Sequence, residues 1–484
     1  MGATKDVDRV VSRASVAHDA AARMAPSQRA GMLRTIAEHL DRAADELVPL
    51  AMSQTHLPEP RLRGELARTT FQLRLFAEEI ERGELLDVVI DHSDESWGMG
   101  PRPDIRRMNV PLGVVGVFGA SNFPFAFSVM GGDSASALAA GCAVVHKIHE
   151  AHEALGLRTA EIVAEALRDA GAPEGLFATV TGREAGEALV DHPLVKAIGF
   201  TGSTRVGRLL MDRAQRREEP IPFYGELGSV NPVFVTRSAW QERSEEIATG
   251  YVDSFTLGAG QFCTKPGIIV VPELAEADRA LLSEAVAAKA PARMLSENLA
   301  RGYEDARSAV LARDDVDALV DGAAGESVSA SLLHTTAEAV RRAPDILSTE
   351  VFGPASVVVE YTDERELTEL AALIEGQLTT TVHGTEGDDV GELLALLTER
   401  SGRVLWNGWP TGVTVSYGQQ HGGPYPATTA AWSTSVGTSA ARRFMRPVAY
   451  QNFPASQLPP ALQDDNPLGV RRRVNGVWEP EPTR

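Results

Sequence analysis

Residues 112–119 read LGVVGVFG, residues 134–141 SASALAAG and residues 143–147 AVVHK. The first is a β-rich apolar run ending in glycine, the second a small-residue helix, the third a short strand. Outward from there the alternation continues. ALGLRTAEIVAEALRDAG (154–171) is a helix stopped by Gly171, while LFATVTG (176–182), VKAIGFTG (195–202) and NPVFV (231–235) look like buried strands closed by turn residues. Strand–helix alternation of this kind predicts a parallel, doubly wound α/β sheet, the usual platform for dinucleotides.

The flanks differ. Residues 29–55 carry Met32, Leu33, Ile36, Leu40, Ala44, Leu47 and Leu50 at helical spacing, and 67–83 continue in that style. Residues 93–111, SDESWGMGPRPDIRRMNVP, are polar, broken by Gly and Pro, and read as a projecting ribbon. A second α/β unit follows, with EVFGPASVVVEY (350–361) as a strand, and the tail is rich in Pro, Gly, Ser and Thr. The expected organisation is a Rossmann-type domain over 1–92 and 112–230, an oligomerisation ribbon over 93–111, a second domain over 231–418, and a wrapping segment over 419–484.

At 484 residues the chain needs more than one core. A net charge of −20 argues against nucleic acid or an anionic membrane surface as partner. No stretch approaches the roughly 20 apolar residues that span a bilayer. With two cysteines, Cys142 and Cys263, and no apolar leader, a cytoplasmic setting is expected. No metal is expected.

Cys263 stands in LGAGQFCTKPG, where small residues bring the backbone close to a neighbour. A thiol attacks as its thiolate, so it needs a base or a lowered pKa. Alone, such a cysteine is more often a small buried hydrophobe, the reading given to Cys142 in AAGCAVV. Glu226, in FYGELGSVNPVFV, is a carboxylate flanked by glycines; desolvation would raise its pKa and glycines would let it move. Asn122, in ASNFPFAFS, can donate an amide N–H to a developing oxyanion. Each segment also admits a plain turn residue.

Taken together and in order, SNFP, Lys147 after AVVH, GFTGSTRVG, ELGS, GQFCT and EVFGP resemble the aldehyde dehydrogenase superfamily, from about Arg29 to about Gly469. The resemblance implies Cys263 as nucleophile, Glu226 as the base for the hydrolytic water and Asn122 as oxyanion donor. It implies Lys147 and Glu150 at the adenosine ribose, Gly202, Ser203 and Gly207 at the pyrophosphate, and Glu350 and Phe352 at the nicotinamide ribose and ring. Phe123 and His421 fall at the substrate mouth. GSTRVG is not G-x-G-x-x-G, so spacing alone does not make it a dinucleotide fingerprint.

FYGELGSVNPVFV, GQFCTKPG, HGGPYPATT and RFMRPVAYQNFP are similar to the branch acting on 2-oxoglutarate semialdehyde, with aliphatic and fatty aldehydes as the alternative. A carboxylate substrate calls for a fixed cation, and Arg442, Arg443 and Arg446 in helix-like RRFMRP are candidates. The cofactor is NAD or NADP; Glu150 in HKIHE would repel a 2′-phosphate and tilts the choice to NAD, and a protonated His149 would offset part of that. A homodimer or homotetramer is implied. A CoA-acylating enzyme has no need of Glu226, and a non-catalytic binding or structural protein would have no use for Cys263, Glu226 and Asn122 together.

Overall fold

Four of the expected strands, with a fifth, make one parallel sheet. In the computed structural model, which describes residues 2–479, its order is Phe177–Val180, Ala143–Lys147, Val114–Phe118, Val195–Thr201, Phe223–Glu226. The fifth place goes to Phe223–Glu226 and not to 231–235, whose strand Val233–Val235 belongs to a different sheet. Residue 1 and residues 480–484, at the ends of the expected outer segments, lie outside the described residues. All of Val114–Phe118 is buried, as a strand covered on both faces requires. The small-residue helix, Gly132–Ala140, is buried along its whole length and stops where Gly141 takes φ +94°. Chain order reverses on either side of Val114–Phe118, so a crevice opens beyond its C-terminal end, between Phe118 and Thr201.

A second sheet has seven strands, in the order Asp317–Val320, Ser331–Thr336, Ala355–Tyr361, Ile268–Pro272, Val233–Val235, Gln377–His383, Ser401–Trp406. All neighbours are parallel except the first pair. Apolar clusters cover both faces, one around Phe234, Tyr303 and Val357, the other around Trp240, Tyr251 and Phe255. The strand expected over 350–361 begins only at Ala355. Pro354 has no N–H to pair, and a Cβ on Gly353 would come within 2.2 Å of the Tyr303 ring, so 350–354 stay a loop.

Seven of the 19 residues in the segment expected to project as a ribbon form a strand. Ile105–Pro111 lies between Val88–Asp91 and Met445–Gln451 in a five-stranded sheet completed by Arg472–Val474 and Val477–Trp478. RRFMRP is also not one helix: a 3-10 turn, Thr438–Phe444, ends within it, and Met445 begins a strand.

His146 sits in the first sheet with its Nδ1 3.2 Å from the Ser134 hydroxyl, and burial, then the nearby His152 and Lys147, lower its pKa to about 3. Folded, it stays neutral; unfolded, it takes a proton below about pH 6.5. The unfolded state therefore gains protons as pH falls, and the stability that neutral His146 confers drains away from about pH 6.5 downward. His146→Leu is expected to lose about 2 kcal/mol less than the parent between pH 7.5 and pH 5, read from denaturant unfolding at each pH. An equal loss in both proteins would contradict the buried neutral imidazole.

Candidate active site

The loop carrying Cys263 is set by three consecutive left-handed residues. After the helix Arg237–Thr256, Gly258, Ala259 and Gly260 take φ +58°, +55° and +65°. Ala259 is strained there by about 1 kcal/mol, but Gly260 is obligatory, since a Cβ would lie 2.1 Å from the Gly353 carbonyl oxygen. Two loops thus abut backbone to backbone, each leading into one of two neighbouring parallel strands, Ile268–Pro272 and Ala355–Tyr361. Asn231, fully buried with φ +55°, holds the nucleophile loop from behind. Its Nδ2 donates to the carbonyls of Cys263 (2.8 Å) and Lys265 (3.0 Å), and Gln377 in turn accepts from the Asn231 N–H at 2.9 Å.

Cys263 itself is partly exposed, facing a cavity of about 300 Å³ that also contains Asn122, Glu226, Glu350 and Phe352. Behind it is a buried polar cluster. Cys263 Sγ lies 3.7 Å from His421 Nε2, which lies 2.8 Å from Glu226 Oε1, and the Ser435 hydroxyl donates to Glu226 Oε2 at 2.9 Å. His421 reaches Glu226 because the tail runs along the open edge of Phe223–Glu226: Thr428 bridges Glu226, and the Leu227 N–H donates to the Ala427 carbonyl at 2.8 Å. With Nδ1 buried and unpartnered among the described residues, the network puts the shared hydrogen on Nε2.

Burial pushes the Cys263 thiol well above its ordinary range, and the Glu226 and Glu350 carboxylates push it further. Burial also pushes Glu226 up, but the adjacent His421, with hydrogen bonds from His421, Cys263 and Ser435, outweighs this and leaves its carboxyl below the ordinary range. The resting pair is therefore a thiol beside a carboxylate. The sequence reading expected a Glu226 raised toward neutrality and free to move; three donors instead hold it ionised. The ligand atoms of Glu226, Cys263 and His421 lie within 4.8 Å of one another, close enough to chelate a divalent cation, although each already has a partner within the cluster.

Asn122 is buried, with Nδ2 donating to the Gln261 carbonyl at 3.0 Å, while Arg61 donates to the Asn122 backbone carbonyl at 2.8 Å. Phe123 stands edge-on to Phe262 at 5.2 Å. A second cavity, about 350 Å³, is lined by Phe118, Lys147, Glu150, Val206 and Leu209 among others. It shares His149, Thr201, Gly202 and Ser203 with the first, so the two adjoin at the C-terminal ends of the parallel strands. Ser203 caps the helix Thr204–Gln215, and a Cβ on Gly207 would lie 2.2 Å from Leu227, so glycine lets this helix sit tight on the sheet. Bare backbone at a helix N-terminus suits a phosphate. Lys147 Nζ is 3.3 Å from Glu150 Oε1. Glu350 is raised by burial to about 7, against Lys265 nearby, and a Cβ on Gly228 would lie 2.6 Å from its carboxylate.

Cys263, Glu226, Asn122, Glu350, Phe352, Gly202 and Ser203 thus line one cavity, Lys147 and Glu150 line its neighbour, and Gly207 lies under the latter. His421 sits in the polar cluster and not at the mouth. The tail arginines do not line the cavity that holds Cys263. Arg443 is buried against Asp133 at 2.6 Å, because the two desolvated charges satisfy each other, and Arg442 and Arg446 are exposed. His149 cannot offset the charge of Glu150: burial, then His152 and Lys147, hold its pKa down at about 3. Asn231, Ser435 and the arginines of the helix Glu59–Arg82 went unread; only the Asn-Pro pair at 231–232 offered a local signal.

Against known proteins, the aldehyde dehydrogenase family model matches residues 1–425. The chain is 43% identical to alpha-ketoglutaric semialdehyde dehydrogenase 2 of Azospirillum brasilense, over 99% of this chain and 93% of that protein. It is 42% identical to alpha-ketoglutaric semialdehyde dehydrogenase of Acinetobacter baylyi, over 93% and 87%. Among solved structures it resembles the NADP-dependent glyceraldehyde-3-phosphate dehydrogenase of Bacillus halodurans complexed with NADP (TM-score 0.79, 23% identity, 93% of this chain and 91% of that one). It also resembles aldehyde dehydrogenase C of Pseudomonas syringae complexed with NAD+ and octanal (TM-score 0.78, 20% identity, 94% and 90%).

Proposed function

Because the chain belongs to the aldehyde dehydrogenase family, we propose that it oxidises 2-oxoglutarate semialdehyde to 2-oxoglutarate, with NAD(P) as hydride acceptor. The observation that carries the chemistry is the Cys263–His421–Glu226 cluster opening onto a cavity that also holds Asn122. The substrate rests on the two full-length relatives. Aldehyde, water and NAD(P)+ give acid, NAD(P)H and a proton.

As Cys263 Sγ adds to the aldehyde carbon, Glu226 takes the thiol proton. The Asn122 amide and the Cys263 N–H hold the alkoxide, each such donor contributing about 3 kcal/mol to the transition state. A bound nicotinamide supplies the hydride acceptor; Lys147, Glu150, the Ser203 turn, Glu350 and Phe352 would hold the cofactor, and the adjoining cavities give it room. What remains on Cys263 is a thioester. Glu226, returned to the carboxylate by loss of its proton to solvent, draws a proton from the attacking water; the carbon–sulfur bond then breaks, Cys263 Sγ takes that proton from Glu226, and the acid leaves.

Within NAD(P), Glu150 favours NAD. At the rim of the adenosine-side cavity its charge opposes a 2′-phosphate, and neutral His149 does not cancel it. Arg205 on the same rim pulls the other way, while Arg183 is turned to Glu187 at 3.0 Å. For a largely exposed charge the repulsion is worth about 1 kcal/mol. Glu150→Gln is therefore expected to raise the NADP-to-NAD ratio of kcat/KM by roughly fivefold; a ratio that stays put or falls would refute the preference.

A homodimer or homotetramer, formed through the sheet that ends at Met445–Gln451 and Val477–Trp478, fits the open edges of those strands. A cytoplasmic setting fits two cysteines that are both free, and no described helix is long and apolar enough to cross a membrane. The deciding assay is a steady-state comparison of 2-oxoglutarate, succinic and glutaric semialdehydes with glycolaldehyde and a medium-chain aldehyde, using each cofactor. The reading requires the highest kcat/KM on 2-oxoglutarate semialdehyde; preference for the medium-chain aldehyde would favour the aliphatic alternative.

A further inference from the structure

A semialdehyde whose far end is a carboxylate needs a cation near Cys263, and none of the tail arginines provides it. Three other guanidinium groups lie near it: Arg68 and Arg403 within electrostatic reach of Cys263, and Arg61 at the Asn122 carbonyl. Arg61 is committed, donating to the Asn122 carbonyl at 2.8 Å with its plane 4.5 Å from the centre of the Phe262 ring. Arg403 is committed too, its terminal nitrogens donating to the carbonyls of Pro410 (2.6 Å) and Gly412 (3.1 Å).

Arg68 differs. Its Nε donates to the Val413 carbonyl at 3.3 Å, and among the described residues neither terminal nitrogen has a hydrogen-bond partner. Those nitrogens are not sealed in, since neither is among the buried atoms left without a partner. The guanidinium lies 5.5 Å from the centre of the Phe127 ring, and that ring stands 6.2 Å from the His421 ring, whose Nε2 is 3.7 Å from Cys263 Sγ. One aromatic ring therefore separates a half-buried cation from the nucleophile cluster. Burial lowers the Arg68 pKa, with Glu65, Cys263 and Glu226 opposing, yet a guanidinium stays charged throughout. Glu65 is pushed up by burial and spends its Oε1 on the N–H groups of Phe125 and Ala126, so it does not claim Arg68.

We propose that Arg68 receives the far carboxylate of the substrate through its two free terminal nitrogens, setting the aldehyde carbon at Cys263. A partly desolvated arginine with an open, planar pair of donors suits a carboxylate in two-point contact, and the Phe127 face fixes the plane. The inference rests on the semialdehyde reading and names the residue that enforces it.

The test compares 2-oxoglutarate semialdehyde with pentanal, an uncharged aldehyde of the same carbon count, in the parent, Arg68→Met and Arg68→Lys. Methionine keeps an unbranched stem over Phe127 without the charge. The ratio of kcat/KM values, semialdehyde over pentanal, is expected to fall on the order of a hundredfold in Arg68→Met, chiefly through KM, with Arg68→Lys between. Equal losses on both aldehydes would make Arg68 structural and overturn the proposal, as would an unchanged ratio in a parent that prefers the semialdehyde. A parent with no such preference overturns the semialdehyde reading itself, and this inference with it. If Arg68→Met does not fold, the same ratio in Arg68→Lys decides, since a single-point ammonium cannot reproduce the two-point contact.

Discussion

Cys263→Ala is expected to lower kcat/KM by about 10⁵-fold with every aldehyde, with a heat-unfolding midpoint close to the parent's. The loss is large because Cys263 is the only thiol among the described residues that line the cavity, and no base is paired with the hydroxyls of Ser121, Thr201 and Ser203 there among the described residues. Ser435 is turned to Glu226, and Cys142 is a buried thiol whose pKa burial raises to about 11. The fold is spared because the side chain at 263 is partly exposed and its loop is held through backbone, by Asn231 on the Cys263 carbonyl and by Gly260 against Gly353. Steady-state kinetics and a thermal scan on the same preparation check both halves. Retained turnover would mean that the cavity does its chemistry without a covalent step.

Glu226→Gln is expected to separate the two halves of the reaction. With no base for water, steady turnover should fall by about 10³-fold, while one equivalent of reduced cofactor per site still appears first, more slowly than in the parent because the thiol proton must now pass to solvent. The same substitution should move the thiol. Burial holds the Cys263 pKa up first, and the Glu226 charge adds to it, so a neutral amide leaves burial and Glu350 and the pKa falls. The thiolate is then present at lower pH than in the parent, and alkylation of Cys263 follows that shift. Stopped-flow measurement of reduced cofactor and alkylation rates against pH read the two effects. A thiol titrating higher in Glu226→Gln would contradict the electrostatics of the cluster.

Much of this was legible because it is local. The Cys263 loop needs glycines where backbones abut, and the parallel sheet shows itself through buried strands that are apolar throughout. Phe223–Glu226 was missed as a strand because four residues containing Gly225 carry little β signal; its place comes from pairing with Val195–Thr201 on one side and the tail on the other. His421 could be tied to the active site only through resemblance, since 195 positions separate it from Glu226 and nothing nearby announces their contact. Glu226 was expected to be raised because burial was weighed without its three donors, which come from distant segments. The arginines follow the same logic. RRFMRP looked like the cation source by composition, yet Arg443 answers Asp133, while Arg68, one aromatic ring from His421, comes from a helix whose sequence reads as ordinary amphipathic structure.

The central claim is that an acyl group rests on one sulfur, and mass spectrometry of the quenched enzyme tests it most directly. Glu226→Gln mixed with 2-oxoglutarate semialdehyde and NAD+ should gain one acyl group per chain, located by digestion on the peptide containing Cys263. An acyl group on the Cys142 peptide, or reduced cofactor formed with no mass gained anywhere, would contradict the account.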